Sequence, residues 1–158
     1  DEERIISGAL NFSNKKVDEV MTPRSVAFML EEKEVLDQKL LNKIKKNGFT
    51  RVPVYRGEKD KVVGILFVRD LIGLKLEKKV KAVCKKNNFL KVSVEDNLDY
   101  VLNRFLTKKI HLASVFDKFN VLQGIISLED VLEEIIKKEI VDESDVAVDL
   151  RRVARKKR

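Results

Sequence analysis

The stretch Gly64-Ile65-Leu66-Phe67-Val68-Arg69-Asp70-Leu71-Ile72 recurs sixty positions later as Gly124-Ile125-Ile126-Ser127-Leu128-Glu129-Asp130-Val131-Leu132. Glycine, isoleucine and aspartate stand at matched places, and apolar residues match around them. A repeat of this length is too long for a solenoid unit and too short for an ordinary independent domain. We therefore expect two half-domains that bury their apolar faces against each other, with a ligand cleft where they meet.

Each copy is predicted to follow the order β-α-β-β-α, which gives an α+β fold built from two related repeats. Strands are predicted from apolar alternation at 26–30, 51–55, 61–67, 89–92, 112–116 and 122–126. Helices are predicted at 2–11, 15–21, 34–47, 68–73, 80–86, 93–108 and 127–138. A polar loop at 56–60 is expected between the second and third strands, and a capping box at 93–96 is expected to open the helix that follows.

These patterns divide the chain into four parts. They are an N-terminal helix or linker at 1–14, a first repeat at 15–76, a second repeat at 77–140, and a frayed tail at 141–158. The chain opens abruptly on Asp1 and ends in charge, so we expect it to be a piece of a longer protein.

The net charge of +7 is concentrated at the C-terminus. The last eight residues carry six positive charges, which leaves +1 for residues 1–150, and residues 129–149 hold nine acids against two lysines. Binding of nucleic acid or of an anionic membrane through this tail is an alternative function. No aromatic residue interleaves the cations, and the acidic stretch neutralises them locally, so no nucleic-acid partner is expected.

Several classes of protein find no support in the sequence. Cys84 is the single cysteine, which excludes an intramolecular disulfide and a cysteine metal cluster and fits a reducing compartment. His111 is the single histidine and has no evident triad partner, and the six glycines are scattered rather than forming a phosphate loop. The longest apolar run, 62–68, is far too short to span a membrane. We therefore expect a binding module rather than an enzyme.

The two copies differ where a strand turns into a helix. Ser127 and Asp130 have the spacing of a helix cap, and capping alone would select these residue types. A hydroxyl beside helix N–H groups can also seat a phosphate, and an aspartate one turn in can accept hydrogen bonds from ribose hydroxyls. The first copy has Phe67 in place of the hydroxyl, which disfavours a nucleotide there.

A second group of candidates lies around two earlier segments. Arg51 can offer a forked cation to phosphate oxygens, or it can be a solvated charge on an edge strand. Phe49 can cover an adenine face or fill the core. Thr22 stands in the segment Met21-Thr22-Pro23-Arg24.

Taken together, these segments resemble the CBS pair, or Bateman module, of the cyclin M (CNNM) / CorC family of magnesium transporters and efflux regulators. The resemblance covers about residues 3–146. It rests on Ile5-Ile6-Ser7-Gly8-Ala9-Leu10, Val20-Met21-Thr22-Pro23-Arg24, Thr50-Arg51-Val52-Pro53-Val54-Tyr55, the two copies quoted first, and Glu139-Ile140-Val141-Asp142-Glu143-Ser144-Asp145.

The resemblance implies two β-α-β-β-α repeats packed with pseudo-two-fold symmetry, a homodimer of such pairs in a flat disc, and ATP bound in the cleft of the second repeat. Magnesium would neutralise the phosphates without a direct protein ligand. By motif, Thr22 and Arg51 would meet the phosphates, Ser127 the phosphate or ribose edge, Asp130 the ribose hydroxyls, and Ile125 and Phe49 the base. Relatives often have tyrosine at Phe49 and threonine at Ser127. AMP, ADP or another adenosyl ligand could replace ATP.

The resemblance also implies a place and a role. In this family the CBS pair lies on the cytosolic side, below the transmembrane domain of the parent protein. The chain would then be a regulatory part that controls transport of magnesium or another divalent cation. The alternative is a structural dimerisation module that binds no ligand.

Overall fold

The computed structural model describes residue 6, residues 12–75 and residues 77–136, and the chain divides into two compact units. Among the described residues, the first unit contains 6, 12–27 and 89–136, and the second contains 28–75 and 77–88. Apart from residue 6, the predicted helix at 2–11 lies outside the described residues, as do the end of the helix predicted at 127–138 and the tail at 141–158.

Two four-stranded sheets and several short helices make up a mixed α+β fold, as predicted. The strands are β1 (Thr22–Pro23), β2 (Leu30–Glu31), β3 (Arg51–Arg56), β4 (Glu58–Phe67), β5 (Lys85–Lys86), β6 (Leu90–Ser93), β7 (Leu112–Phe116) and β8 (Leu122–Ser127). The helices are α1 (Val17–Val20), α2 (Gln38–Asn47), α3 (Leu98–Lys108) and α4 (Leu128–Ile136), with 3₁₀ helices at Val68–Leu71 and Val80–Ala82.

Both sheets have the same topology. The first unit has the strand order β1-β8-β7-β6, and the second has the order β2-β3-β4-β5. In each sheet a parallel pair, β6 with β7 or β2 with β3, is followed by two antiparallel pairs. The repeated topology agrees with the repeated sequence.

The compact units do not follow the repeat boundaries that we predicted. β1 lies in the predicted repeat at 15–76 but pairs with β8, and β5 lies in the predicted repeat at 77–140 but pairs with β4. The helix predicted at 80–86 is wrong, since a 3₁₀ turn there leads into β5. A strand of two residues leaves no alternation in the sequence, so pattern analysis cannot find it.

The core of the first unit lies on one face of its sheet. Leu122, Gly124 and Ile126 of β8 are buried, and Phe105 of α3 is only 1% exposed. The same core contains Val17 and Val20 of α1 and Val131 of α4, so α1, α3 and α4 each contribute to it. A half-buried ion pair between Lys15 and Glu134, with 2.7 Å between Nζ and Oε1, fixes the α4 side of this core.

The core of the second unit forms beneath α2. This helix begins where the Asp37 carboxylate accepts a hydrogen bond from the Leu40 amide at 2.7 Å, and it ends at Gly48, whose φ is 68°. It buries Leu40 and Ile44 against apolar residues of β3 and β4. Cys84 packs against this cluster, and burial raises the pKa of its thiol, as expected of a structural cysteine.

Two local predictions are corrected by the structure. The loop predicted at 56–60 is a tight turn at Gly57, whose φ is 70°, because the polar residues 58–61 continue as β4. The capping box predicted at 93–96 closes a turn instead, with the Ser93 amide donating to Asp96 at 2.8 Å, and α3 begins only at Leu98. No helix in the described ranges combines the length and apolarity needed to cross a membrane.

Gly124 admits the backbone of β1 to the edge of β8. A methyl group at this position would overlap the carbonyl oxygen of Thr22, so Gly124→Ala is expected to destabilise the first unit by about 1–3 kcal/mol. The Arg24 amide, which donates to the Gln123 carbonyl at 2.8 Å, should lose protection from hydrogen exchange. Urea unfolding and amide exchange measure the two effects.

Gly64 offers the matched control for this substitution. Alanine there would overlap the Lys85 carbonyl oxygen and the Cys84 sulfur in the second unit. Gly64→Ala should therefore expose the amides of β5 to exchange and leave the Arg24 amide protected. Unchanged exchange of the Arg24 amide in Gly124→Ala would contradict this account of β1.

Candidate functional site

Three of the predicted site residues share one face of the first unit's sheet. Thr22 of β1 is the register partner of Ile125 of β8, and register partners in an antiparallel pair point to the same side. Ser127 lies two residues beyond Ile125, so its side chain is on that side too. This face is opposite to the one that carries the core residue Ile126, and all three residues are half-buried.

Asp130 completes the cluster from the first turn of α4. The Ser127 hydroxyl donates to the Asp130 carboxylate at 2.6 Å and accepts from the Asp130 amide at 3.0 Å, while the Ser127 amide donates to the same carboxylate at 2.8 Å. The capping interpretation of this pair is therefore realised in the structure. The same bonds fix the hydroxyl and the carboxylate side by side at the end of β8.

The backbone at this helix start offers less to a phosphate than we predicted. The amides of Ser127 and Asp130 are bonded within the cap, and the Leu128 amide donates to the His111 carbonyl at 3.0 Å. A ligand at this place would therefore contact side chains more than helix amides. An ionised carboxylate can accept about four hydrogen bonds, and Ser127 donates two of them to Asp130.

Two residues beside the cluster were not predicted as site residues from the sequence. Arg24 follows β1, and its guanidinium donates to the Leu122 carbonyl at 3.5 Å, which holds a cation at the β1–β8 edge. Ser114 of β7 is the register partner of Ile125 on its other side and is 2% exposed, which makes it the buried polar side chain of this face. Arg24 stands two residues after Thr22 in the sequence, and this spacing could have identified it as a candidate site residue.

The start of α4 is strongly acidic. Glu129 and Asp130 lie in its first turn and Glu133 and Glu134 follow, and the described part of the helix, up to Ile136, contains no basic residue. Lys15 is paired with Glu134. In the part of the chain that the structure describes, no three histidine, cysteine or acidic side chains are grouped in a way that could hold a metal ion.

The other two predicted residues, Phe49 and Arg51, belong to the second unit. The Phe49 ring is stacked on Phe28, with 5.7 Å between centroids and 18° between planes, and Lys43 lies over Phe28 at 5.4 Å. The Arg51 guanidinium lies 5.9 Å from the centroid of the Phe67 ring and 3.4 Å from the Thr50 hydroxyl. Phe49 therefore packs against the core and against a second ring at once.

Phe67 occupies the position of the first repeat that matches Ser127. The ring lines an open cleft of about 510 Å³ in the second unit, together with Arg69, Asp70 and residues 85–88. The guanidiniums of Arg51 and Arg69 lie 5.9 and 5.1 Å from the ring centroid. These contacts hold the side chain at the border of the cleft.

Comparison with known sequences identifies related proteins. The profile of the CBS domain matches residues 38–77 and 80–137. Metal transporter cnnm-1 of Caenorhabditis elegans is 38% identical over 160 residues, which cover 92% of this chain and 20% of the transporter. Hemolysin C of Brachyspira hyodysenteriae is 35% identical over 145 residues, or 91% of this chain and 53% of that protein. The chain thus spans about a fifth and about a half of the length of these relatives.

Solved structures with the same fold include the CBS domain of a bacterial CNNM/CorC family Mg²⁺ transporter. Its TM-score is 0.79 at 32% identity, covering 89% of this chain and 86% of that one. A structure of such a domain in complex with ATP has a TM-score of 0.79 at 30% identity, covering 87% and 98%. A CBS pair from Klebsiella pneumoniae with bound AMP, at 23% identity and a TM-score of 0.63 over 77% of this chain and 98% of that one, shares the fold.

Proposed function

The chain belongs to the CBS domain family, as a CBS pair of the CNNM/CorC type, and from that premise we propose that it is a regulatory module rather than an enzyme. It binds magnesium–ATP at the first unit and controls a magnesium or other divalent-cation transporter. The observation that carries the proposal is the convergence of Thr22, Ile125 and Ser127 on one sheet face, beside the carboxylate of Asp130.

The chemistry of this face suits a nucleotide. Asp130 can accept hydrogen bonds from the two ribose hydroxyls, and Ile125 supplies an apolar surface for the base. Thr22 contributes a hydroxyl and Arg24 a cation for the phosphates. The CBS domain of a bacterial CNNM/CorC transporter, 30% identical to this chain, has been solved in complex with ATP, which supports an adenine nucleotide as the ligand. The assignments of Phe49 to the base and Arg51 to the phosphates stay predictions.

Magnesium is expected to be required because of the acidic start of α4. Glu129, Asp130 and Glu133 would repel the phosphates of free ATP, and a divalent ion on those phosphates reduces the repulsion. When bound, magnesium supplies charge neutralisation, and the protein side chains supply orientation and recognition of the ribose.

The regulatory step follows from differential affinity. A ligand shifts a conformational equilibrium only by the difference between its affinities for the two states. We propose that magnesium–ATP favours one packing of two copies of the chain, and that the transmembrane region of the parent protein, on whose cytosolic side the module lies, responds to it. The names of the relatives, metal transporter cnnm-1 and a CNNM/CorC Mg²⁺ transporter, support this context.

Asp130→Asn tests the proposed site. Loss of a charged acceptor for the ribose hydroxyls is expected to weaken magnesium–ATP binding by roughly ten- to a hundredfold, since hydrogen bonds to a charged group contribute about 1.5–3 kcal/mol. Titration calorimetry and thermal shift, with magnesium and with excess EDTA, measure the affinity. The wild-type protein should show a higher melting temperature only with magnesium and ATP together.

Asp99→Asn is the matched control, because Asp99 is an exposed acid in the first turn of α3 in the same unit. It should leave magnesium–ATP affinity unchanged. The same titration with Arg51→Gln tests the predicted phosphate contact of the second unit. Equal affinity in EDTA would contradict the magnesium requirement. Tighter binding of AMP or ADP than of ATP would assign the site to that nucleotide instead. No response to any adenine nucleotide would favour a purely structural dimerisation module.

A further inference from the structure

We propose that the cleft beside Phe67 in the second unit binds a compact phosphate anion, such as pyrophosphate, without a metal ion and without a nucleoside. This site is separate from the magnesium–ATP site proposed for the first unit, and it does not depend on that proposal. The residues on the cleft wall occupy the positions that match Ser127, Asp130 and β1 of the first unit, but their chemistry differs.

The cleft has a wall whose charge points to an anionic ligand. Its volume is about 510 Å³, and its lining includes three cationic residues, Arg69, Lys85 and Lys86, against one acidic residue, Asp70. The amide residues Asn87 and Asn88 complete the wall. Cations that meet at a concave surface raise the local concentration of anions and bind phosphate through charge-assisted hydrogen bonds.

Asp70 organises these cations rather than cancelling them. One of its carboxylate oxygens lies 3.8 Å from Lys85 Nζ, and the other lies 3.8 Å from Arg69 Nε. Exposed ion pairs of this length contribute at most about 1 kcal/mol. A ligand with two or more negative charges can therefore compete with Asp70 for both cations, while the carboxylate keeps them near the cleft in its absence.

The same geometry disfavours a nucleoside. Phe67 is the aromatic residue of the cleft wall, and its ring is already engaged by Arg51 and Arg69, at 5.9 and 5.1 Å from the centroid. Asp70, the counterpart of the ribose-reading Asp130, faces two cations instead of a hydroxyl group. Neither a base nor a ribose would find the partners that the first unit offers.

The two sites are expected to respond to magnesium in opposite ways. The acidic start of α4 requires a metal on the phosphates, whereas the basic cleft holds the anion best when no metal has reduced its charge. Magnesium should therefore strengthen nucleotide binding at the first unit and weaken anion binding at the second. A single titration series with and without EDTA separates them.

The test is calorimetric titration of the full chain with pyrophosphate in EDTA at fixed ionic strength. Lys85→Gln with Lys86→Gln should weaken binding by about tenfold or more. Lys45→Gln with Lys46→Gln is the control, since it removes the same charge from exposed positions in the last turn of α2 of the same unit. β5 pairs with β4 through its backbone, so the glutamine variants keep the strand, and circular dichroism checks this.

Each outcome decides the proposal. The proposal would be overturned if the wild-type protein did not bind pyrophosphate. It would also be overturned by an equal loss of affinity in both double variants, because that result would show that diffuse charge attracts the anion. Tighter binding of AMP than of pyrophosphate at this cleft would assign it to a nucleotide and overturn it as well. Sedimentation with phosphatidylinositol phosphate vesicles tests a lipid as the source of the phosphate. If the protein sediments with the vesicles and only the Lys85 and Lys86 variant does not, the phosphate is assigned to a lipid instead.

The proposed function fails or stands independently of these results. Asp130→Asn should abolish the magnesium-dependent response to ATP and leave the titration with pyrophosphate unchanged. A wild-type chain that binds pyrophosphate in EDTA but never binds magnesium–ATP would refute the first site and keep the second.

Discussion

Ser127→Phe is expected to abolish binding of magnesium–ATP, with a loss of affinity of about a hundredfold or more. The substitution copies the residue that the first repeat carries at Phe67. It places a ring where the hydroxyl of Ser127 now lies between β8 and Asp130, and it removes a donor and an acceptor of the cap. Titration calorimetry with magnesium and ATP measures the loss.

Two further variants separate the bulk of the ring from the loss of the cap. Ser127→Ala removes the same hydrogen bonds without adding volume, and it should destabilise the protein by about 1 kcal/mol and retain more affinity than the phenylalanine variant. Ser127→Thr keeps the hydroxyl and should bind as the wild type does. Wild-type affinity in Ser127→Phe would place the nucleotide elsewhere and refute the proposed site.

Phe105→Ala should have the largest effect on stability, a loss of about 3–5 kcal/mol in the free energy of unfolding. Phe105 is 1% exposed and lies in the core of the first unit, against residues of β7, β8 and α1. Truncation would leave a cavity that rigid strands and helices cannot close. Equilibrium unfolding in urea, followed by circular dichroism, gives the difference.

The neighbouring residue on the same helix provides the control. Leu106 is 61% exposed, so Leu106→Ala removes apolar atoms from α3 without opening a cavity and should change stability by less than about 0.5 kcal/mol. Similar losses in the two variants would mean that α3 does not bury the face that the structure shows.

Elements with strong apolar patterns were predictable from the sequence. β7 was predicted at 112–116 and is found there, and β8 extends one residue past the predicted 122–126, because both strands carry a buried pattern. The end of α2 was set by Gly48, whose left-handed conformation follows from its residue type. In these places local propensity and tertiary packing agree.

The pairing of β1 with β8 and of β5 with β4 could not be predicted, because a two-residue strand is defined by the strand it pairs with and has no sequence pattern of its own. Their signal lies in the partner strand instead, where Gly124 and Gly64 have no side chain to block the approach. The turn at Gly57 was not predicted either, because the charged residues that follow it in the sequence resemble a loop.

The candidate site was predicted in part. The hydrogen-bonded pairing of Ser127 and Asp130 was predictable from their residue types, because the helix cap and the proposed site use the same atoms. The bonding of the nearby amides and the open cleft at Phe67 depend on other elements, namely the carbonyl of His111 and the guanidiniums that hold the ring. Side-chain contacts of this kind have no sequence spacing to reveal them.

The placement of β1 has a mechanical consequence. Two register pairs, Thr22 with Ile125 and Pro23 with Gly124, tie the segment after α1 to β8. Those pairs are a short tether at the very strand that ends in Ser127. Occupancy of the proposed site by a ligand would therefore load the same few backbone hydrogen bonds that hold β1 to β8.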